Sequence, residues 1–364
     1  MSALSESIRQ RMTLGYLRGH YGLELLPPAA EDVTVTSLAD DLASVRPGSL
    51  YMPYLRPNEA ETTAEGLPSD AGLGDDAQSG RETKQGRHAA PAGPSVQVGS
   101  QEQGGSPVQP TPTTADEAAL VAQAELAGAY AVLLPTRSPG QETPSADIPL
   151  LIGDLAPDQL GRILSNAAGD PSASLAVFAM VGDDVYGQAA DLADFLHTLG
   201  NPVGMIAASG SASLDRPLDL QGPLSMFDLQ RALAICLEDG AAAVVIEADP
   251  ATLQEDALRG VQIDVLAFPD DAGPSGGPVG ALARFHDGRR GRASAAARRY
   301  GFSFGGSTQV ARRGDESDEM ARQALPGGDQ AHLNQLSLNI AMTVAAGVKR
   351  SHIRSALEAS QELS

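Results

Sequence analysis

Leu175-Ala176-Val177-Phe178-Ala179-Met180-Val181, followed by Gly182-Asp183-Asp184-Val185-Tyr186-Gly187, decides the fold. The first seven residues form an unbroken apolar run, as expected of a strand buried on both faces. Small and polar residues interrupt it. From Ala189 to Leu199, the apolar residues Leu192, Phe195, Leu196 and Leu199 recur on one helical face, and Gly200 ends the helix. Val203 to Ala207 reads as the next strand. The unit then repeats: Asp228 to Asp239 is a helix with Leu229, Leu233, Cys236 and Leu237 inward, and Ala243–Glu247 and Ile263–Phe268 are strands. Apolar strands alternating with helices of roughly 10–15 residues imply right-handed βαβ crossovers and a parallel sheet. The expected class is α/β, with a doubly wound parallel sheet.

Upstream, the pattern is smaller in scale. Val33–Thr36 is β-rich, and Val45–Met52 reads as a turn followed by a strand. Asp116–Ala127 reads as a helix with Leu120, Val121, Ala124 and Leu126 inward, closed by Gly128. Tyr130–Leu134 and Ile148–Ile152 read as strands, and Pro157–Ala168 as a helix. Between them, residues 55–114 are rich in Gly, Pro, Ser, Gln and acids. Such a segment buries too little apolar surface to offset its chain entropy, so a disordered insertion is expected. The expected organisation is a small α/β domain over residues 1–150, carrying that insertion, and a larger domain over 151–364. From Gly273 to Gly314 the periodicity weakens, and Arg284, Arg289, Arg290, Arg292, Arg298, Arg299, Arg312 and Arg313 face one acid, Asp287. Leu333–Ala346 and His352–Ala359 read as closing helices.

Composition narrows the function classes. At 364 residues with 42% hydrophobic side chains, the chain has material for two cores. Aromatic residues are 4% and Trp is absent, so those cores rest on Ala, Leu, Val and Ile. A formal charge of −21 argues against non-specific nucleic-acid binding. Cys236 is the single cysteine, which excludes an internal disulfide and a cysteine-cluster metal site; on an inward helix face it reads as packing. The histidines, His20, His88, His197, His286, His332 and His352, show no metal-ligand spacing. Met1–Arg18 lacks the apolar run of a secretory signal, and nothing reaches the roughly 18 unbroken apolar residues of a membrane helix, so a cytoplasmic location is expected. Lysine occurs only at Lys84 and Lys349.

Several segments together resemble Mur ligases. Asp41, then Val45-Arg46-Pro47-Gly48-Ser49-Leu50-Tyr51, is similar to the D-S-R-x-V-x-P-G-x-L-F run of their N-terminal domain, most of all in the type that adds the third residue of the peptidoglycan stem. Leu175–Gly210 resembles the strand, phosphate loop, helix and strand that open their ATP-binding central domain. Val244-Val245-Ile246-Glu247 resembles the V-V-M-E strand, and Asn339-Ile340-Ala341 the N-A-L-A-A helix that closes that domain. The resemblance implies the small N-terminal α/β domain and a phosphate-loop-NTPase-like central domain, without the C-terminal ligase domain.

It also implies where a site would lie. The family's phosphate loop is G-T-N-G-K-T; the matching run here is Gly182, Asp183, Asp184, Val185, Tyr186 and Gly187. Tyr186 stands at the lysine and Gly187 at the magnesium-binding hydroxyl. A phosphate loop needs inward backbone N–H groups and a cation for the β- and γ-phosphates. Losing one charge-assisted hydrogen bond costs on the order of 1.5–3 kcal/mol, and Asp183 and Asp184 add repulsion. An ordinary strand-to-helix turn is the expected reading. Glu247 matches the family's magnesium-binding glutamate, but Asp249-Pro250-Ala251 replaces S-S-H. Oxygen ligands from Glu247, Asp249 and the loop aspartates would suit Mg2+ or Ca2+; solvated strand-end acids are the alternative. The family's carbamylated lysine has no counterpart, because Gly273–Gly314 contains no lysine. Of the D-S-R triplet near the uridine diphosphate only Asp41 remains, with Leu42 and Ala43 following it. T-T-P corresponds to Gly222-Pro223-Leu224 or a close variant.

The expectation is therefore a non-catalytic relative with no cofactor, acting on a protein partner such as a true Mur ligase or another cell-wall protein. Two alternatives stay open. One is an ATP- and Mg2+-dependent ligase acting on a UDP-N-acetylmuramoyl peptide, completed by a partner subunit. The other is a sensor that binds only that peptide.

Overall fold

The computed structural model describes residues 12–53, 114–182, 185–269, 291–303 and 307–363. The expected insertion, apart from Thr114, lies outside these residues, as do Asp183, Asp184, Arg284, Asp287, Arg289 and Arg290. The fold is mixed α/β, built on two sheets with parallel strands at their centres.

The first sheet is five-stranded. It contains β2 (Glu24–Leu26), β4 (Ser37–Ala39), β5 (Ser49–Tyr51), β6 (Ala129–Leu134) and β7 (Leu150–Ile152), in the order β2-β7-β6-β5-β4. All pairings are parallel except β2 with β7. The strands β1 (Met12–Thr13) and β3 (Thr34–Val35) form a separate antiparallel pair. One face of the first sheet packs Leu50, Leu133 and Leu151 against α1 (Leu14–Tyr21) and α3 (Pro157–Ala167). The other packs Tyr51, Val132 and Leu134 against α2 (Thr114–Ala127) through Val121 and Ala124. Leu126, expected inward, is instead 89% exposed. Two positions after Ala124 the helix has turned by about 200°, which carries Leu126 off the packed face. The expected boundary at 150 falls on the first residue of β7, a strand of this sheet.

The second sheet has the order β11-β10-β9-β12-β8-β13-β14. Its parallel centre is β9 (Val203–Ile206), β12 (Ala243–Ala248), β8 (Ala176–Val181), β13 (Val265–Ala267) and β14 (Gln309–Val310). The antiparallel strands β10 (Ser211–Ser213) and β11 (Arg216–Leu218) extend one edge. Alternate residues feed opposite cores. Val177, Ala179, Val244 and Ile246 meet α5 (Met226–Glu238) and α6 (291–300). Phe178, Met180, Val245 and Ala267 meet α4 (Tyr186–Thr198), α7 (Asp315–Ala324), α8 (Gln330–Ala345) and α9 (Arg350–Leu363). Helices on both faces explain why β8 and β12 read as unbroken apolar runs. No apolar periodicity marks α1, α7 or the β10–β11 hairpin; α7 is strongly polar and short, so its pattern is faint.

The helix α3 joins the two units. Leu160 and Ile163 face the first sheet and share a core with Phe227 of α5. Gly161 lies on the loop after β12 so closely that a Cβ there would sit 2.6 Å from the Arg259 backbone, and one on Gly260 would sit 2.3 Å from the Gly161 carbonyl. Beside this contact Arg259 pairs with Asp256 and, across the junction, with Asp158 at 2.5 Å.

Candidate functional site

In a doubly wound sheet, ligands bind outside the carboxyl ends of the strands, where neighbouring strands send their connections opposite ways. Here that place lies between β8 and β12. Chain leaving β8 runs through α4 toward β9, and chain leaving β12 runs to β13 on the other side of β8. The pairing of Glu247 with Met180 and of Ala248 with Val181 sets the Gly182 loop beside Glu247 and Asp249. The strand order thus brings two of the sequence-derived candidates together. Asp183 and Asp184 lie outside the described residues.

Val185, buried, precedes the first turn of α4 with no side-chain cap. Tyr186 opens the helix half-buried, and its hydroxyl reaches the turn after β9, where a Cβ on Gly210 would lie 3.6 Å from it. Gly187 is exposed. At the lysine position there is therefore an aromatic side chain laid toward the next strand's turn, and at the hydroxyl position no side chain.

Glu247 is 2% exposed. Its Oε2 accepts from the Thr252 hydroxyl at 3.0 Å and from the Ala208 N–H at 3.2 Å, and that N–H also donates to Thr252 Oγ1 at 2.9 Å. Asp249 Oδ1 accepts from the Thr252 N–H at 2.7 Å. These bonds tie the β9 turn to the loop after β12. The Gly222–Leu224 segment packs on the same loop: Leu224 N–H donates to the Thr252 carbonyl at 2.7 Å. Sequence reading missed Thr252, although an aspartate three residues before a threonine is a local turn signature. Among the described residues, no group of three or more His, Cys, Asp or Glu is placed to hold a metal. A magnesium-bound triphosphate needs a cation and a ligating hydroxyl at the start of α4, and Tyr186 and Gly187 do not fit that group.

A cation also stands at this edge. Arg292 of α6 places its guanidinium 4.7 Å above the ring of Phe268, just past the end of β13. Stacking of this kind orients a guanidinium. Nothing in the sequence marked Arg292 out from the other arginines of its stretch.

Asp41 sits at the carboxyl end of the first sheet. Its Oδ1 accepts from the Ser44 N–H at 2.8 Å and its Oδ2 from the Ser44 hydroxyl at 2.5 Å, which caps a short 3-10 turn at Leu42–Ser44. Burial, then the carboxylates of Asp41 and Asp40, push the Tyr51 hydroxyl above its usual range. At the same edge, Arg137 donates from Nη1 to Glu117 Oε2. The Glu117 side chain is fully buried and that of Arg137 is 12% exposed. Glu117 Oε1 and Arg137 Nε and Nη2 are buried with no partner among the described residues. Cys236 is buried in the central core, and burial pushes its thiol up to about 11.

No family model matches the chain, and no curated protein matches it. Solved structures do. The chain is 14% identical to MurF from Acinetobacter baumannii, covering 96% of this chain and 67% of that one with a TM-score of 0.47. This chain is similar to Mur ligases. A UDP-N-acetylmuramoylalanyl-D-glutamyl-2,6-diaminopimelate–D-alanyl-D-alanyl ligase from the same organism is 13% identical, covering 96% of this chain and 68% of that one, TM-score 0.45. A bifunctional folylpolyglutamate synthase/dihydrofolate synthase from Yersinia pestis is 15% identical, covering 55% and 62%, TM-score 0.34. The chain thus spans about two thirds of the length of the Mur ligase structures from Acinetobacter baumannii. No helix among the described residues is long and apolar enough to cross a membrane.

Proposed function

We propose that this is a non-catalytic Mur-ligase-like protein that acts by binding a protein partner in peptidoglycan synthesis or its regulation. The observation that carries this reading is the start of α4. Tyr186 takes the place of a phosphate-binding lysine and turns toward Gly210, while Gly187 offers no hydroxyl. Nor does the surrounding chain supply another lysine, because the sequence has none between Lys84 and Lys349. Glu247 supports the reading from the neighbouring strand, since its Oε2 already accepts two hydrogen bonds. No cofactor is assigned. Isothermal titration with ATP and Mg2+ tests the proposal: no binding heat is expected, and micromolar affinity would overturn it.

Arg292 favours a second reading, an ATP-dependent ligase acting on a UDP-N-acetylmuramoyl peptide together with a partner subunit. Its guanidinium stands at the carboxyl end of β13, next to β8. This reading predicts phosphate release in the presence of ATP, UDP-sugar peptide and amino acid, abolished by Arg292→Ala. A thermal shift with the UDP-sugar peptide but not with ATP would instead indicate a sensor.

A further inference from the structure

The amino end of the first sheet, opposite the edge that carries Asp41 and Arg137, bears a groove of about 750 Å³. Val33, Thr36, Gly128, Tyr130, Ile148 and Pro149 line it. Its chemistry is apolar, and the exposure around it is unusual for large hydrophobic side chains. Tyr130 is 49% exposed, and Leu126, in the last turn of α2, is 89% exposed. Of these two, Tyr130 lines the groove, and an exposed aromatic side chain in an apolar concavity marks a contact surface more than an isolated one does.

Two local features build the groove. The β5–β6 register shifts between the pairs Ser49–Ala129 and Leu50–Ala131, so Tyr130 is the extra residue of a bulge. A bulge re-aims a side chain, and here it turns an aromatic ring out of the sheet into the groove. Gly128, with φ of +101°, makes the sharp entry from α2 into β6, and a Cβ there would come within 3.2 Å of Pro47. A side chain at that position would both strain the backbone and press on the neighbouring turn.

Among the described residues, acids outnumber cations around the groove. Glu125 lines it directly and no described cationic side chain does, with Arg46 beside Pro47 at its rim. Asp32 and Asp147, both exposed, adjoin the lining residues Val33 and Ile148. Complementary potentials select partners and fix register at interfaces. We infer that this groove docks a segment of a partner protein that presents an apolar side chain flanked by lysine or arginine. The inference rests on the binding role proposed above and gives that role its surface.

Selection of a random peptide library on the full chain tests it. Enriched peptides are expected to carry lysine or arginine on both sides of an aromatic or aliphatic residue. Their affinity should fall by about tenfold or more with Tyr130→Ser, the loss of one aromatic anchor. It should fall further as salt is raised, and be lost with Glu125→Lys. Because both side chains lie at the surface, circular dichroism should show both variants folded. Enrichment of acidic or uncharged peptides, or full affinity retained by both variants, would overturn the inference. A wild-type dimer in sedimentation that Tyr130→Ser dissociates would make a second copy the occupant and overturn it equally. ATP binding in the separate titration would remove the non-catalytic reading and leave the peptide result standing, so the two failures are distinguishable.

Discussion

The two sheets end on carboxyl edges that treat their acids in opposite ways. At the edge of the central sheet, Glu247 and Asp249 accept from Thr252 and Ala208, binding one loop to the next. At the edge of the first sheet, Glu117 and Arg137 form a buried pair that leaves Glu117 Oε1, Arg137 Nε and Arg137 Nη2 without partners among the described residues. The acid that family resemblance marks is thus held in structural hydrogen bonds, whereas the under-satisfied polar atoms belong to residues that no motif marks. A motif records which side chain stood at a site; burial and partners decide what it does there.

Five experiments test that contrast. Phe178→Ala should have the largest effect, about 3–5 kcal/mol in urea unfolding, because it opens a cavity in the core between β8 and the helices α4 and α8. Arg137→Leu should cost about 3–5 kcal/mol, mostly felt by the first sheet, since it strands the buried Glu117 carboxylate. Adding Glu117→Met should recover most of that loss in a double-mutant cycle, because neither charge then remains buried. If the double variant is no more stable than Arg137→Leu, unseen groups satisfy the pair and the contrast between the edges collapses. Thr252→Val should cost about 1–3 kcal/mol, through loss of the hydroxyl bond to a buried carboxylate.

Cys236 gives a pH test on the central core. Its thiol is raised from 9.0 to about 11 in the folded state, so folding favours the protonated form. That stabilisation is fully present below pH 9 and lost as pH rises from 9 through 11. Wild type should lose about 2–3 kcal/mol relative to Cys236→Ala over that range, and native Cys236 should resist Ellman's reagent at pH 8. The smallest effect is expected from Asp41→Ala: about 1 kcal/mol from the lost cap on the Leu42–Ser44 turn. A much larger loss in binding of a UDP-sugar peptide than in stability would restore Asp41 to a ligand role.

Legibility followed the range of the interaction. The buried strands β8 and β12 and the inward faces of α4 and α5 were readable because apolar spacing is set within each segment. The helix α1 and the hairpin β10–β11 were not, since they are short and owe their stability to packing. At the candidate site, Tyr186, Gly187 and Glu247 were readable one residue at a time. Their arrangement was not, because Ala208 and Thr252 reach Glu247 across 39 and 5 residues of chain.

The α/β class, the alternating periods of strands and helices, and the absence of lysine from Gln85 to Val348 are all properties of the amino-acid chain alone. That β8 and β12 are neighbours, that Leu126 faces solvent, and that Gly161 and Gly260 meet backbone to backbone came from long-range packing. Composition and period act through the local chain. Neighbourhood is instead set by which strands pair and which faces find cover, and those contacts join residues far apart in sequence.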